Sequence, residues 1–383
     1  MHILTSEEAA VVARARELAD EVLAPHAASV DTEGRFPVES MAALAADGFY
    51  GLTIPAEFGG MGQGLGVMAA VLDELAQRCA STAMIYMMHL SGVQCLLAEP
   101  EKMGGYLREV AEGRHLTTLA FSESGSRSQF WAPVSRLAAA ADGVVSLTAR
   151  KSWVTSAGMA DSIVASAGSL DGQGASVLLV LQNDEGLAIA GGWDSLGMRG
   201  NQSNPMSLQS VELPLAERLI GGEGQGADIM LGRALPVFLI CQGAIGTGLA
   251  EAAFGAARRH IMGHGFEHTG SGLRDLPNLR ASLAEMRMET DRARAYLVAV
   301  LAKAGAGDPD AMRLLLGLKA VAGETAVRVS DLAMRACGGA AFSKHLGLER
   351  VFRDSRANIV MAPTTDHLRE FIGRILVDLP LFG

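Results

Sequence analysis

The hydrophobic periodicity of this chain changes twice, and that order constrains the fold more than any single motif. From Ser6 to about Arg114 apolar residues recur at spacings of three and four, as in Val11, Ala15, Leu18 and Val22, with capping residues and glycine between the runs. This pattern predicts helices throughout. From about Leu116 to Leu219 it gives way to short alternating or β-branched runs, among them Val144–Leu147, Ile163–Ala165, Val177–Val180 and Val211–Leu213, set apart by Asp-Gly and glycine-rich turns. Strands at that regular spacing predict a mostly antiparallel β-domain. After Gly226 the helical period returns, with Leu276, Leu279, Leu283, Met286, Leu297 and Leu301 along one stripe, as in an antiparallel helical bundle. Helices, then strands, then helices is an α+β arrangement and excludes an alternating βαβ chain. The boundaries fall at residues 1–115, 116–225 and 226–383.

A chain of 383 residues exceeds a single core, in keeping with three domains. A net charge of −10 gives no electrostatic reason to bind nucleic acid or an anionic membrane surface. Cys79, Cys95, Cys241 and Cys337 are scattered and form no C-x-x-C pair, which points to buried thiols in a reducing, cytoplasmic setting. The start, Met1 to Glu8, has no basic segment followed by an apolar run and opens on a helix-capping pattern, unlike a signal peptide. No uncharged apolar stretch is read as long enough to span a bilayer.

Some tempting patterns have bland explanations. Gly59-Gly60-Met61-Gly62-Gln63-Gly64 follows no predicted strand and fails the dinucleotide-loop spacing, so it reads as a loop. His260, His264 and His268 are spaced by four, but glycines interrupt the helix and nothing completes a metal ligand set. His89, in an apolar helix, reads as a core histidine that can still approach a substrate pocket. Met84, Met87 and Met88 read as core filler.

Two segments carry chemistry: Ala120–Gln129 (AFSESGSRSQ) and Lys151–Gly158 (KSWVTSAG). They resemble the Thr-Glu-Pro…Gly-Ser-Asp and Lys…Trp-Ile-Thr-Asn segments that contact flavin in the acyl-CoA dehydrogenase family. The resemblance extends through Ile54–Gly60 (IPAEFGG), Leu196–Gly200 (LGMRG), Cys337-Gly338-Gly339 and Arg353–Arg356 (RDSR), nearly the whole chain. It implies an N-terminal helical domain, a middle β-domain and a C-terminal four-helix bundle. It also implies non-covalent FAD, with Phe121, Ser122, Ser128, Trp153 and Thr155 around the flavin, an apolar wall and hydroxyl donors being what an isoalloxazine needs. Ser128 and Arg199 are expected near the thioester arm of the substrate. Relatives complete each FAD site from a neighbouring subunit, which implies a homodimer or homotetramer and places Gly338, Gly339 and Thr364 at cofactor.

The chain departs from this pattern in two places. Relatives carry their catalytic base as the Glu of a Tyr-Glu-Gly-Thr segment, and the matching position, eight residues after Asp354, is Ala362. Other relatives place a Glu on the first bundle helix, where Leu235–Phe238 offers no acid. The base is therefore missing, relocated or unnecessary, with His89 and Asp366 the candidates if it is relocated. The Arg and Gln that reach the FAD pyrophosphate are also absent: the Phe266–Gly270 segment is degenerate and Pro277 stands at the Gln position. Arg335 either replaces them as a bidentate partner or forms a salt bridge. Asp366 suits the cofactor ribose better than the role of base. The leading expectation is oxidation of the α,β bond of an acyl thioester, CoA-bound or carrier-bound, with a flavoprotein or oxygen as electron acceptor. The alternatives are a flavin-dependent monooxygenase or oxidase on the same fold, which needs no such Glu, and a non-catalytic subunit paired with a paralogue.

Overall fold

The computed structural model describes residues 4–127 and 129–382, so Ser128 lies outside the described residues. The first helix, Ser6–Leu18, starts on a capping box in which the Thr5 hydroxyl accepts from the Glu8 amide and the Glu8 carboxylate accepts from the Thr5 amide. Five further helices of nine or more residues follow, ending with Leu65–Ala76, Ala80–Leu96 and Pro100–Ala111.

Eight strands follow: β1 (Thr117–Ala120), β2 (Leu137–Ala141), β3 (Val144–Val154), β4 (Ser162–Gly168), β5 (Ala175–Leu181), β6 (Leu187–Ile189), β7 (Asn204–Pro214) and β8 (Leu219–Ile220). They form two four-stranded sheets ordered β1-β4-β5-β8 and β2-β3-β7-β6, antiparallel except where β1 runs parallel to β4. Alternation along β3 and β7 sends Val145, Leu147, Leu208 and Leu213 between the sheets against Ile163, Leu178 and Val180. Every residue of β4 is buried, because the sheets meet on one of its faces and helices cover the other. That double cover explains the short apolar run Ile163–Ala165 within it.

Four long helices close the chain: Leu235–Gly263, Pro277–Gly305, Ala311–Cys337 and Thr365–Leu376. The first packs against helices on two sides, and glycine makes this possible. A Cβ on Gly246 would lie 2.8 Å from the main chain of Ala322, and one on Gly248 would lie 2.5 Å from the Asp73 carbonyl. This helix also corrects the sequence reading: Gly226–Gly263 is one helical stretch with mean hydropathy 1.6 over an 18-residue window, long and apolar enough to cross a membrane. Here 72% of that window is buried inside the protein, as in a central core helix.

Candidate active site

The two motif segments come together where β1 and β3 run out. Glu123 bridges to Lys151, Ser152 N donates to the Ser122 carbonyl, and Ser124 N donates to the Arg150 carbonyl. Beneath this seam lies a buried ion pair. Lys151 Nζ donates to Glu123 Oε1 at 2.6 Å and to the Ser166 carbonyl, while the Val134 and Ser135 amides donate to Glu123 Oε2 at 2.6 and 2.7 Å. Burial alone raises the Glu123 carboxyl, but Lys151 and the Ser135 donors outweigh it and hold the group below its ordinary value. The motif acid and lysine are thus a structural staple. The sequence carries a signal for it, because Lys151 continues the inward alternation Val145, Leu147, Ala149.

The staple leaves its neighbours free to face a cavity. The register of β3 slips between Lys151 and Val154, and Trp153 takes a left-handed backbone with φ 58°. A bulge of this kind re-aims a side chain, and a left-handed non-glycine residue stores strain. The indole is 66% exposed and packs edge-on against Trp193, with centroids 5.7 Å apart. Thr155 is buried, its hydroxyl 3.0 Å from that of Ser203.

Two adjoining cavities open on this surface. The larger, about 840 Å³, is bounded by Ser122, Trp153, Thr155, Met198, Arg356 and Ala362, among others. The inner one, about 80 Å³, is lined by Phe121, Phe130, Leu235, Phe238, Met88 and Ala362 together with other apolar residues and Ser122 and Ser152. No titratable side chain lines the inner cavity among the described residues. Among the described residues, the only carboxylate lining either one is the occupied Glu123.

His89 is not at this site. Its Nε2 hydrogen-bonds the Tyr50 carbonyl at 3.0 Å, its Nδ1 accepts from the Thr117 amide, and burial pushes it down to about 4. It is a neutral, satisfied core histidine. Asp366 is exposed, its side chain 3.7 Å from Arg369, in a separate groove that it shares with Arg335. That groove has only Val360 in common with the larger cavity, so within one chain neither Arg335 nor Asp366 meets Trp153. Gly338 and Gly339 end the Ala311–Cys337 helix, and Thr364 caps the last helix by accepting from the His367 amide. The degenerate Phe266–Gly270 segment is the turn of a small hairpin, Gly265–Phe266 against Ser271–Gly272.

Arg199 stands apart from both cavities. Its guanidinium donates to the Asp31 carbonyl at 2.9 Å and the Ser195 carbonyl at 3.0 Å and does not line the cavities. The surrounding turn is a wedge: a Cβ on Gly197 would lie 2.5 Å from the Arg353 carbonyl carbon, and one on Gly200 would lie 2.2 Å from Val30. Met198 N donates to Asp354, a carboxyl that burial pushes up to about 6, and Arg353 grips the Asp31 carboxylate at 2.6 and 2.8 Å. The Leu196–Gly200 and Arg353-Asp354 motifs thus join all three parts of the chain.

Sequence models of the N-terminal, middle and C-terminal domains of acyl-CoA dehydrogenase match residues 5–114, 118–211 and 224–377. The chain belongs to the acyl-CoA dehydrogenase family. It is 28% identical over 384 residues to cyclohex-1-ene-1-carbonyl-CoA dehydrogenase of Geobacter metallireducens, covering 98% of this chain and all of that one. Its fold is that of butyryl-CoA dehydrogenase from Megasphaera elsdenii, with TM-score 0.91, 22% identity and 98% and 99% of the two chains covered. The fold is also that of the prolyl acyl carrier protein oxidase AnaB, with TM-score 0.88, 21% identity and 97% and 99% covered. The α+β expectation and the family resemblance both stand.

Proposed function

We propose that this acyl-CoA dehydrogenase family protein oxidises the α,β bond of an acyl thioester, with FAD as cofactor. The observation that carries the reading is the strained, exposed Trp153 at the mouth of a large cavity, next to Ser122 and Thr155. These residues fit a flavin: the indole offers a flat apolar face, and the hydroxyls offer polar contacts at its edge. Bound there, FAD supplies a two-electron acceptor for a hydride from the substrate. The inner cavity takes the acyl group, excluding water with Phe121, Phe130, Leu235 and Phe238. The test is anaerobic titration with a panel of acyl-CoAs and carrier-bound acyl groups, expecting bleaching of the flavin spectrum. A spectrum unmoved by every thioester overturns the reading.

Trp153→Ala is expected to weaken FAD retention on gel filtration and to leave the melting temperature of the apoprotein unchanged, since the residue is exposed and strained. Equal retention by the variant would remove Trp153 from the cofactor site.

A second reading, use of oxygen by a monooxygenase or oxidase, is favoured by the acid-free inner cavity, which offers no side chain to accept a substrate proton. The acceptor is then oxygen; in the first reading it is a partner flavoprotein. Rapid oxygen consumption by the reduced protein supports the second reading.

The protein assembles as a homodimer or homotetramer through its bundle, and a neighbour's Arg335, Gly338, Gly339 and Asp366 complete the cofactor site. Support comes from the exposed apolar residues Met288, Phe342 and Val360 on the bundle. Light scattering at micromolar concentration is expected to give at least twice the 40.0 kDa chain mass, and a monomer contradicts this. A paralogous subunit in place of a second copy would show as inactivity until that subunit is added. The four buried free cysteines support a cytoplasmic location.

A further inference from the structure

Lys319 lies in the middle of the Ala311–Cys337 helix, 1% exposed. No acidic group contributes to its surroundings among the described residues, and burial pushes its ammonium down to about 7. A buried cation without a counterion is costly, and a methionine of similar length would normally serve better there.

The geometry explains the exception. The three N–H groups of Lys319 meet three main-chain carbonyls, those of Asn358 at 3.0 Å, Met361 at 3.0 Å and Pro363 at 2.9 Å. All three lie in the link between the Leu348–Ser355 and Thr365–Leu376 helices, Asn358 in the one-turn helix Ala357–Val360 and Met361 and Pro363 in the irregular segment that follows it. Two of them flank Ala362, whose other side faces both cavities. Gln242 pins the same link through its side chain, its amide Nε2 lying 3.1 Å from Met361 Sδ and 3.3 Å from Met87 Sδ. The part of the cavity wall at Met361–Pro363 is therefore irregular backbone fastened by one charged side chain and one amide. Without those donors the carbonyls would be buried and unpaired.

We propose that Lys319 is a positioning residue that holds the Met361–Pro363 wall and so sets the shape of the acyl pocket. The assignment of that pocket to an acyl group rests on the function proposed above. The fastening itself does not depend on it.

The test is Lys319→Met in the full-length, FAD-loaded protein, with two readouts. Hydrogen exchange at the amides of residues 359–365 is expected to accelerate at least about tenfold, while exchange in the core of the Ala311–Cys337 helix stays as in wild type. The KM for the best acyl thioester is expected to rise about tenfold with a smaller change in kcat, and FAD affinity should remain within about twofold. Unchanged exchange at 359–365 overturns the proposal, as does acceleration spread evenly over the bundle with KM unmoved. If Lys319→Met gives no soluble protein, Lys319→Leu, which likewise offers no donor, is read in the same way. A wild type that oxidises no acyl thioester defeats the functional reading alone, and the exchange pattern then decides the role of Lys319.

Discussion

Ala362→Glu combined with Pro363→Gly is expected to raise the rate of flavin reduction by acyl thioesters roughly a hundred- to ten-thousandfold, the usual range for a positioned general base. The position is suitable because Ala362 lines both cavities, together with Phe238 and Trp153. The apolar lining would raise the new carboxyl toward the pH at which a base works best. Of the arginines lining the larger cavity, Arg353 is held by Asp31 and Arg356 by Asp331. Pro363→Gly relieves the restriction that proline places on the preceding residue and keeps the carbonyl that Lys319 holds. Stopped-flow measurement of flavin absorbance decides the matter. No gain over an already fast wild type means that a base acts from elsewhere. Slow oxidation in both proteins, with product formed only in oxygen, would sink the dehydrogenase reading.

Glu123→Ala is expected to cost about 3–5 kcal/mol, the range for removing one partner of a buried ion pair. Lys151 would be left buried with only the Ser166 carbonyl, and the Val134 and Ser135 amides would lose their acceptor. Denaturant unfolding followed by tryptophan fluorescence measures the loss, and a change under about 1 kcal/mol would show the pair to be dispensable. The pair also gives a pH dependence of fixed sign. Because the native carboxyl is held below its ordinary value of 4.5, its contribution is complete above that pH and disappears as pH falls through the lower native value. The wild type is therefore expected to lose stability more steeply below that point than Glu123→Gln, which has no proton to take up.

The architecture was legible because each part has its own period: Leu276 to Leu301 could only be a helical stripe, and Val144–Leu147 only a half-buried strand. The site was legible only where a residue type itself implies a surface. Trp153, Ser122 and Thr155 face one cavity, and Ala362, noticed for the carboxylate it lacks, lines its wall. Charged residues were the hardest to read. Arg199 and Lys319 are tied to backbone carbonyls by folding that joins distant segments, and nothing local distinguishes them from residues facing solvent, whereas Lys151 is marked by the inward alternation of its strand. The sequence reading found no stretch of spanning length, whereas the central helix has that length and composition and buries most of it inside the protein.

The wedge at Gly197–Gly200 has a bearing on how ligands come and go. With no room for a methyl group against Arg353 on one side or Val30 on the other, this turn leaves the first and last thirds of the chain no hinge about which to part. Opening there would also break the grip of Arg353 on Asp31. Traffic through the cavity mouth then falls to side chains, above all the paired indoles of Trp153 and Trp193. Their rotations take nanoseconds, whereas the domain motions they replace take microseconds to milliseconds.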